Sequence, residues 1–85
     1  MAESELTRLK NIGKVSARWL NQIGVYTRDD LQRVGPVEAY RRLKALYPHR
    51  VSLNLLYSLE GALVNCRWDQ LPEEVKADLR AQVVS

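Results

Sequence analysis

Residues 9–20, LKNIGKVSARWL, place a tight turn between two short amphipathic segments. This is the pattern of a helix-hairpin-helix, expected here over about residues 4–24. In that reading Leu9 and Ile12 end the first helix, Asn11 and Gly13 take backbone conformations that other residues resist, and Val15 or Ser16 starts the second helix. Gly13 is expected to tolerate replacement least. The amides of such a turn and of the helix start that follows point outward together, forming a site for an anion with Lys14 beside it. A nucleic-acid phosphate suits that site. The alternative is a helical corner with no ligand.

Length and composition narrow the class. The 85 residues suffice for one domain with a modest core, 1–85. There is no apolar run long enough to span a membrane, no charged-then-apolar leader, and one cysteine, Cys66, so a soluble, cytoplasmic protein is expected. The net charge of +3 is unevenly spread. Residues 8–50 hold ten Lys or Arg against Asp29, Asp30 and Glu38, a local balance of +7, whereas residues 68–85 carry Asp69, Glu73, Glu74 and Asp78 against Lys76 and Arg80. The first half is the one suited to an anionic polymer, unless its charges only form solvated helix faces.

Turn and cap residues divide the chain into about six helices. Ser4 is placed to cap the first, and the second runs from about Ser16 to Ile23, where Gly24 terminates it. Thr27 with Asp30 three residues on forms a capping-box-like start for a third helix ending at Gly35. Pro36 suits the first turn of a fourth, which continues to about Leu46 and stops before Pro48. Ser52 caps the fifth, and Pro72 opens a sixth whose early Glu73 and Glu74 and late Arg80 complement the helix dipole. No alternating strand pattern intervenes, so the fold class is all-α: a compact bundle of five to six short helices with the hairpin at its N-terminus.

The fifth helix, Ser52 to about Val64, is the expected centre. Leu53, Leu55, Leu56, Leu59, Leu63 and Val64 cover most of its circumference, leaving Asn54, Ser58, Gly61 and Asn65 as a narrow stripe that faces water or admits a neighbouring helix. Glu60 falls between Leu53, Leu56 and Val64, so a structural role is expected for it, with a partner such as an arginine or the amides of a helix start.

Four segments resemble the C-terminal domain of the TfoX/Sxy family, regulators of natural competence for DNA uptake: LKNIGKVSARWLNQIGVYTRDDL at 9–31, VGPVEAYRRLK at 34–44, VSLNLLYSLEGAL at 51–63, and Trp68 followed by Leu71 and Pro72. The third is the most specific, since generic helix-hairpin-helix proteins do not share it. The resemblance implies a compact helical domain whose hairpin is related to those of DNA-binding proteins, in a bacterial regulatory setting. The family's regulators usually carry an additional N-terminal domain, for which 85 residues from Met1 leave no room, so the expectation is of the C-terminal domain standing alone.

Catalysis is not expected. His49 is the only histidine and Cys66 the only thiol, no acidic cluster has metal-ligand spacing, and no Gly-rich phosphate loop or nucleophile motif is present, so neither a cofactor nor a metal is anticipated. Cys66 reads as a small buried apolar residue. Two non-enzymatic classes compete. In the first, Lys10, Asn11, Gly13, Lys14, Ser16 and Arg18 hold DNA phosphates, weakly and without sequence readout, and a second basic patch of Arg41, Arg42, Lys44 and Arg50 extends the footprint. Trp19, Tyr26, Tyr40 and Tyr47 occur at spacings that suit core packing rather than base stacking. In the second, the domain is an adaptor for a regulatory protein or for a second copy of itself, anchored through Val83, Val84 and either Trp19 or Trp68.

Overall fold

A computed structural model of the chain describes residues 2–84. The described residues form six α-helices and no strand: α1 (Ala2–Thr7), α2 (Lys14–Gln22), α3 (Arg28–Val34), α4 (Pro36–Leu46), α5 (Leu53–Val64) and α6 (Glu73–Val84), with a single 3₁₀ turn at Trp68–Gln70 between the last two. The all-α expectation holds. The radius of gyration, 11.7 Å, is that of a closely packed chain of this length, about 12 Å.

Local chemistry sets most boundaries. Gly24, at φ +84°, closes α2, where the Val25 amide reaches back to the Leu20 carbonyl at 2.9 Å. Thr27 caps α3 with a reciprocal box: the Asp30 amide donates to Thr27 Oγ1 at 3.0 Å, and Asp30 Oδ2 accepts from the Thr27 amide at 3.2 Å. The same carboxylate oxygen accepts from the Tyr26 amide at 3.0 Å. Pro36 opens α4 as expected, and Ser52 stands at the N-cap of α5, though its side chain accepts no capping hydrogen bond.

Other expectations need correction. The N-terminal helix ends at Thr7, not at Leu9 and Ile12; residues 8–11 form overlapping tight turns through Arg8 N–H to Glu5 C=O and Leu9 N–H to Leu6 C=O, which lets Ile12 drop into the core. Ser4, expected as the cap, falls inside α1; its side chain lies outside the described residues. Arg80 is not in the last turn of α6. It binds Glu73 Oε2 at 2.7 Å and the Tyr57 hydroxyl at 3.0 Å, tying α6 to α5, and both contacts hold its guanidinium more firmly protonated than usual.

The core runs through all the helices, with Leu6, Leu20, Leu31, Leu43, Leu56 and Leu59 fully enclosed. Helix α5 gives it Leu55, Leu56, Tyr57, Leu59, Gly61 and Ala62, so it is central as expected. Its exposed part differs. Leu53 and Val64, read as buried, lie at the open ends, while Ser58 and Gly61 are covered by irregular chain rather than by another helix. The cover is Asn11, at φ 71°, whose Nδ2 donates to the carbonyls of Ser58 at 3.3 Å and Cys66 at 2.9 Å, and whose Oδ1 accepts from the Trp68 amide at 3.1 Å. A Cβ on Gly61 would stand 2.6 Å from Asn11 Nδ2 and closer still to the Cys66 carbonyl oxygen. Here glycine serves close approach, in a helix interior where it otherwise costs about 1 kcal/mol.

Two predictions follow from this packing. Gly61→Ala is expected to destabilise the fold by about 1–3 kcal/mol through forced displacement of backbone. Asn11→Asp, isosteric but without the donor to two carbonyls, should cost a similar amount, about 1–3 kcal/mol for groups left unpaired; urea unfolding of each variant measures both. Acid supplies a third. The Tyr26 amide first, then the Thr27 hydroxyl and Arg33, hold the Asp30 carboxyl below its ordinary range. Its stabilising effect is therefore present above the unfolded-state value of about 3.9 and lost as pH falls through the lower folded-state value. Melting curves of the wild type and Asp30→Asn are expected to differ near neutrality and to converge in strong acid.

Candidate nucleic-acid interface

The N-terminus of α2 is where sequence placed an anion site. The helix begins at Lys14, two residues before Ser16, so Ser16 is its third residue, half-buried, rather than its start. Gly13 is the N-cap, at φ −96° and ψ −173°, and no side chain caps the helix. The first helical bond runs from the Ala17 amide to the Gly13 carbonyl at 3.0 Å, so the amides of Lys14, Val15 and Ser16 have no partner among the described residues. No acidic residue occupies this first turn. The positive end of the helix is thus unopposed.

Two of the proposed ligands change character. Gly13 has ordinary extended angles and open space where a Cβ would sit, which overturns the expectation that it is the least replaceable residue; the demanding glycine is Gly61. Asn11 does take the left-handed conformation expected of it, but its side-chain amide is occupied by Ser58, Cys66 and Trp68, so it shapes the hairpin instead of facing a ligand.

The basic residues of 8–50 separate into two groups. Arg28 donates to the Leu63 carbonyl at 2.6 Å, Arg41 to the Gln82 carbonyl, and Lys44 to the carbonyls of Pro48 and Val51 at 2.9 and 2.7 Å. Arg33 pairs with Asp30 and Arg42 with Glu38. Of the second basic patch, Arg41, Arg42 and Lys44 are engaged by carbonyls or a carboxylate within the fold, and Arg50 stands with Trp19. Arg8, Lys10, Lys14 and Arg18 remain, all exposed and all on the hairpin, with no side-chain hydrogen bond or ion pair among the described residues. Lys14 and Arg18 share one face of α2, four residues apart.

Beside that face the structure adds a feature the sequence did not disclose. Trp19 and Tyr47 stack with ring centres 5.2 Å apart and planes 22° from parallel, and the Arg50 guanidinium carbon stands 5.7 Å from the centre of the Trp19 ring. Tyr47 donates to Gln22 Oε1 at 2.6 Å. With Val15 and Arg18 these groups line a shallow cavity of about 290 Å³. Tyr47 and Arg50 come from the segment around Pro48, far from α2 in sequence, which is why spacing alone did not join them.

Glu60 has none of the partners expected of it. It is half-buried on the wall of a groove lined also by Glu38, Arg41 and Asp78, with no hydrogen bond or ion pair among the described residues. Of its neighbours on that face of the helix, Leu53 and Val64 reach solvent while Leu56 is enclosed. Cys66, read as buried, is half-buried; its backbone carries the structural role.

Residues 2–83 match the family model described as the TfoX C-terminal domain. The chain belongs to the TfoX C-terminal domain family, a family of regulatory domains. It is also similar to the mitomycin resistance protein McrB of Streptomyces lavendulae, 35% identical over 60 residues, which is 71% of this chain and 57% of McrB. Two crystal structures from Listeria monocytogenes share the TfoX-domain fold seen here. An uncharacterized protein in a triclinic form is 39% identical, with a TM-score of 0.82 over 88% of this chain and 84% of its own. A protein of unknown function in a tetragonal form is 37% identical, with a TM-score of 0.82 over 89% of this chain and 93% of its own.

The uncapped TfoX-domain hairpin gives a direct prediction. Gly13→Ser supplies the missing side-chain acceptor at the N-cap of α2 and is expected to stabilise the domain by a few tenths of a kcal/mol, roughly, read as a small rise in melting temperature.

Proposed function

We propose that this TfoX-family domain is a non-enzymatic regulatory module that binds nucleic acid weakly, through phosphates and without sequence readout, at the N-terminus of α2. The observation that carries the reading is the division of basic residues. Those elsewhere in residues 8–50 are engaged by carbonyls, carboxylates or a ring, whereas Arg8, Lys10, Lys14 and Arg18 stand free beside the unpartnered amides of Lys14, Val15 and Ser16. Amides and cations together favour a phosphate, and flanking cations engage its neighbours along the strand. A competence-type regulatory role is consistent with such an affinity.

A second reading, an adaptor for another protein, is favoured by one observation: Ile23, Ala45 and Leu46 line an apolar groove with Gln22 and Arg42, and Leu46 is 52% exposed. The anchors expected from sequence are less suited to it. Val83 packs against the core and Trp68 is only 36% exposed, while Val84, at 80%, stands out alone.

Salt separates the two. With three phosphate contacts, affinity for a labelled duplex is expected to fall about 40-fold between 50 and 200 mM salt, and Lys14→Glu should weaken it further by about tenfold, both read by fluorescence anisotropy. Absence of binding at low salt would remove the nucleic-acid reading.

A further inference from the structure

We infer that the cavity between Trp19, Tyr47 and Arg50 is a base pocket, and that the nucleic acid this domain prefers is single-stranded. The inference rests on the nucleic-acid reading above and specifies its substrate. The cavity is contiguous with the phosphate site, because Val15 and Arg18 line it while lying within two turns of the Gly13 cap. Its walls have the composition a lone nucleobase requires: a half-buried indole and phenol already stacked, a guanidinium over the indole, and an arginine at the rim. A base inside a duplex has both faces covered by its neighbours and cannot offer one to this pocket; an unpaired base can.

Each group has a distinct task. The base stacks on the Trp19 ring in place of the Arg50 guanidinium, whose attachment there is an exposed cation–π contact, weaker than a base–indole stack. Arg50 has no carboxylate or hydrogen-bond partner for its side chain among the described residues, so it is available to the phosphate that accompanies the base. Gln22, whose Oε1 accepts from the Tyr47 hydroxyl, keeps its Nε2 donors for a carbonyl on the base edge. Arg18 joins the pocket to the amides at the start of α2 and holds the adjoining phosphate. Meanwhile the Tyr47 hydroxyl bond and its stack against Trp19 keep the pocket formed before ligand arrives, so no ordering of the rings opposes binding.

The test uses Trp68→Phe, which leaves Trp19 as the only tryptophan of the chain. Its fluorescence is followed during titration with a dodecamer of thymidylate, and separately with a duplex of twelve base pairs. Saturable quenching by the single strand and little by the duplex is expected, duplex binding being read by the anisotropy of a labelled strand, and adding Arg50→Gln should weaken single-strand binding by about tenfold while leaving duplex binding within about twofold. Circular dichroism of each variant verifies the fold, and Arg50, being exposed, can be replaced without opening the core. Duplex binding that depends on salt, with no quenching by the single strand, would overturn the base pocket and leave the phosphate site standing. Binding of neither would remove both. Quenching insensitive to Arg50→Gln would also overturn the assignment, since Arg50 is the group assigned to the phosphate that accompanies the base.

Discussion

The carboxamide of Asn11 is the contact on which the rest of the arrangement depends. One side chain closes three separate backbone groups, two carbonyls and an amide, drawn from α5 and from the segment that follows it. A carboxamide carries two N–H donors and an acceptor oxygen on one short side chain, the set these three backbone groups require, and asparagine tolerates left-handed backbone more readily than most residues with a side chain. Gly61 is the complement of that choice. Any side chain there would occupy the space through which the hairpin approaches α5. Residue 11 and residue 61 are thus complementary in shape, and the position of the α2 N-terminus relative to the core follows from the pair.

Three of the six cations at positions 28–50 bind backbone carbonyls, two of them at helix C-termini. Arg28 reaches the Leu63 carbonyl near the end of α5, Arg41 the Gln82 carbonyl near the end of α6, and Lys44 the carbonyls beyond α4. Arg28 and Arg41 place positive charge where helix dipoles are negative and carbonyls lack intrahelical donors, and Lys44 closes the loop between α4 and α5. Short helices have a high proportion of such ends, and six of them in 85 residues create more orphan carbonyls than a bundle of long helices does. The basic excess is therefore partly a consequence of architecture. What is left over on the hairpin is small, and its location, not its amount, gives it meaning.

Helix existence and type were legible because they rest on local chemistry. Thr27 with Asp30, Gly24, Gly35 and Pro36 act within one turn of themselves, and each stands where its chemistry indicated. What failed were inferences that required knowing which segments meet. Gly13 and Asn11 looked like a matched pair of turn residues; only the approach of the Cys66 strand of chain shows that one is demanding and the other ordinary. Leu53 and Val64 carry the right hydropathy for burial but sit beyond the ends of their neighbours. Glu60 lies among apolar residues on the helical wheel, yet of these only Leu56 is enclosed, while Leu53 and Val64 are exposed. The Trp19, Tyr47 and Arg50 group was missed for the same reason: helical spacing describes one helix face, and this cluster is assembled across a turn from a separate segment.

The three bonds of Asn11 join residues 47, 55 and 57 positions apart. A ribosome extends the chain from its N-terminus, so the hairpin emerges long before the groups that fix its shape exist. Until Trp68 has been made, the turn around residue 11 has its side-chain amide open to water, and the local segment carries neither the clamp nor the α5 surface it rests on. The hairpin is consequently a late product of synthesis although it is encoded first, and its final shape is a report that the whole domain has closed.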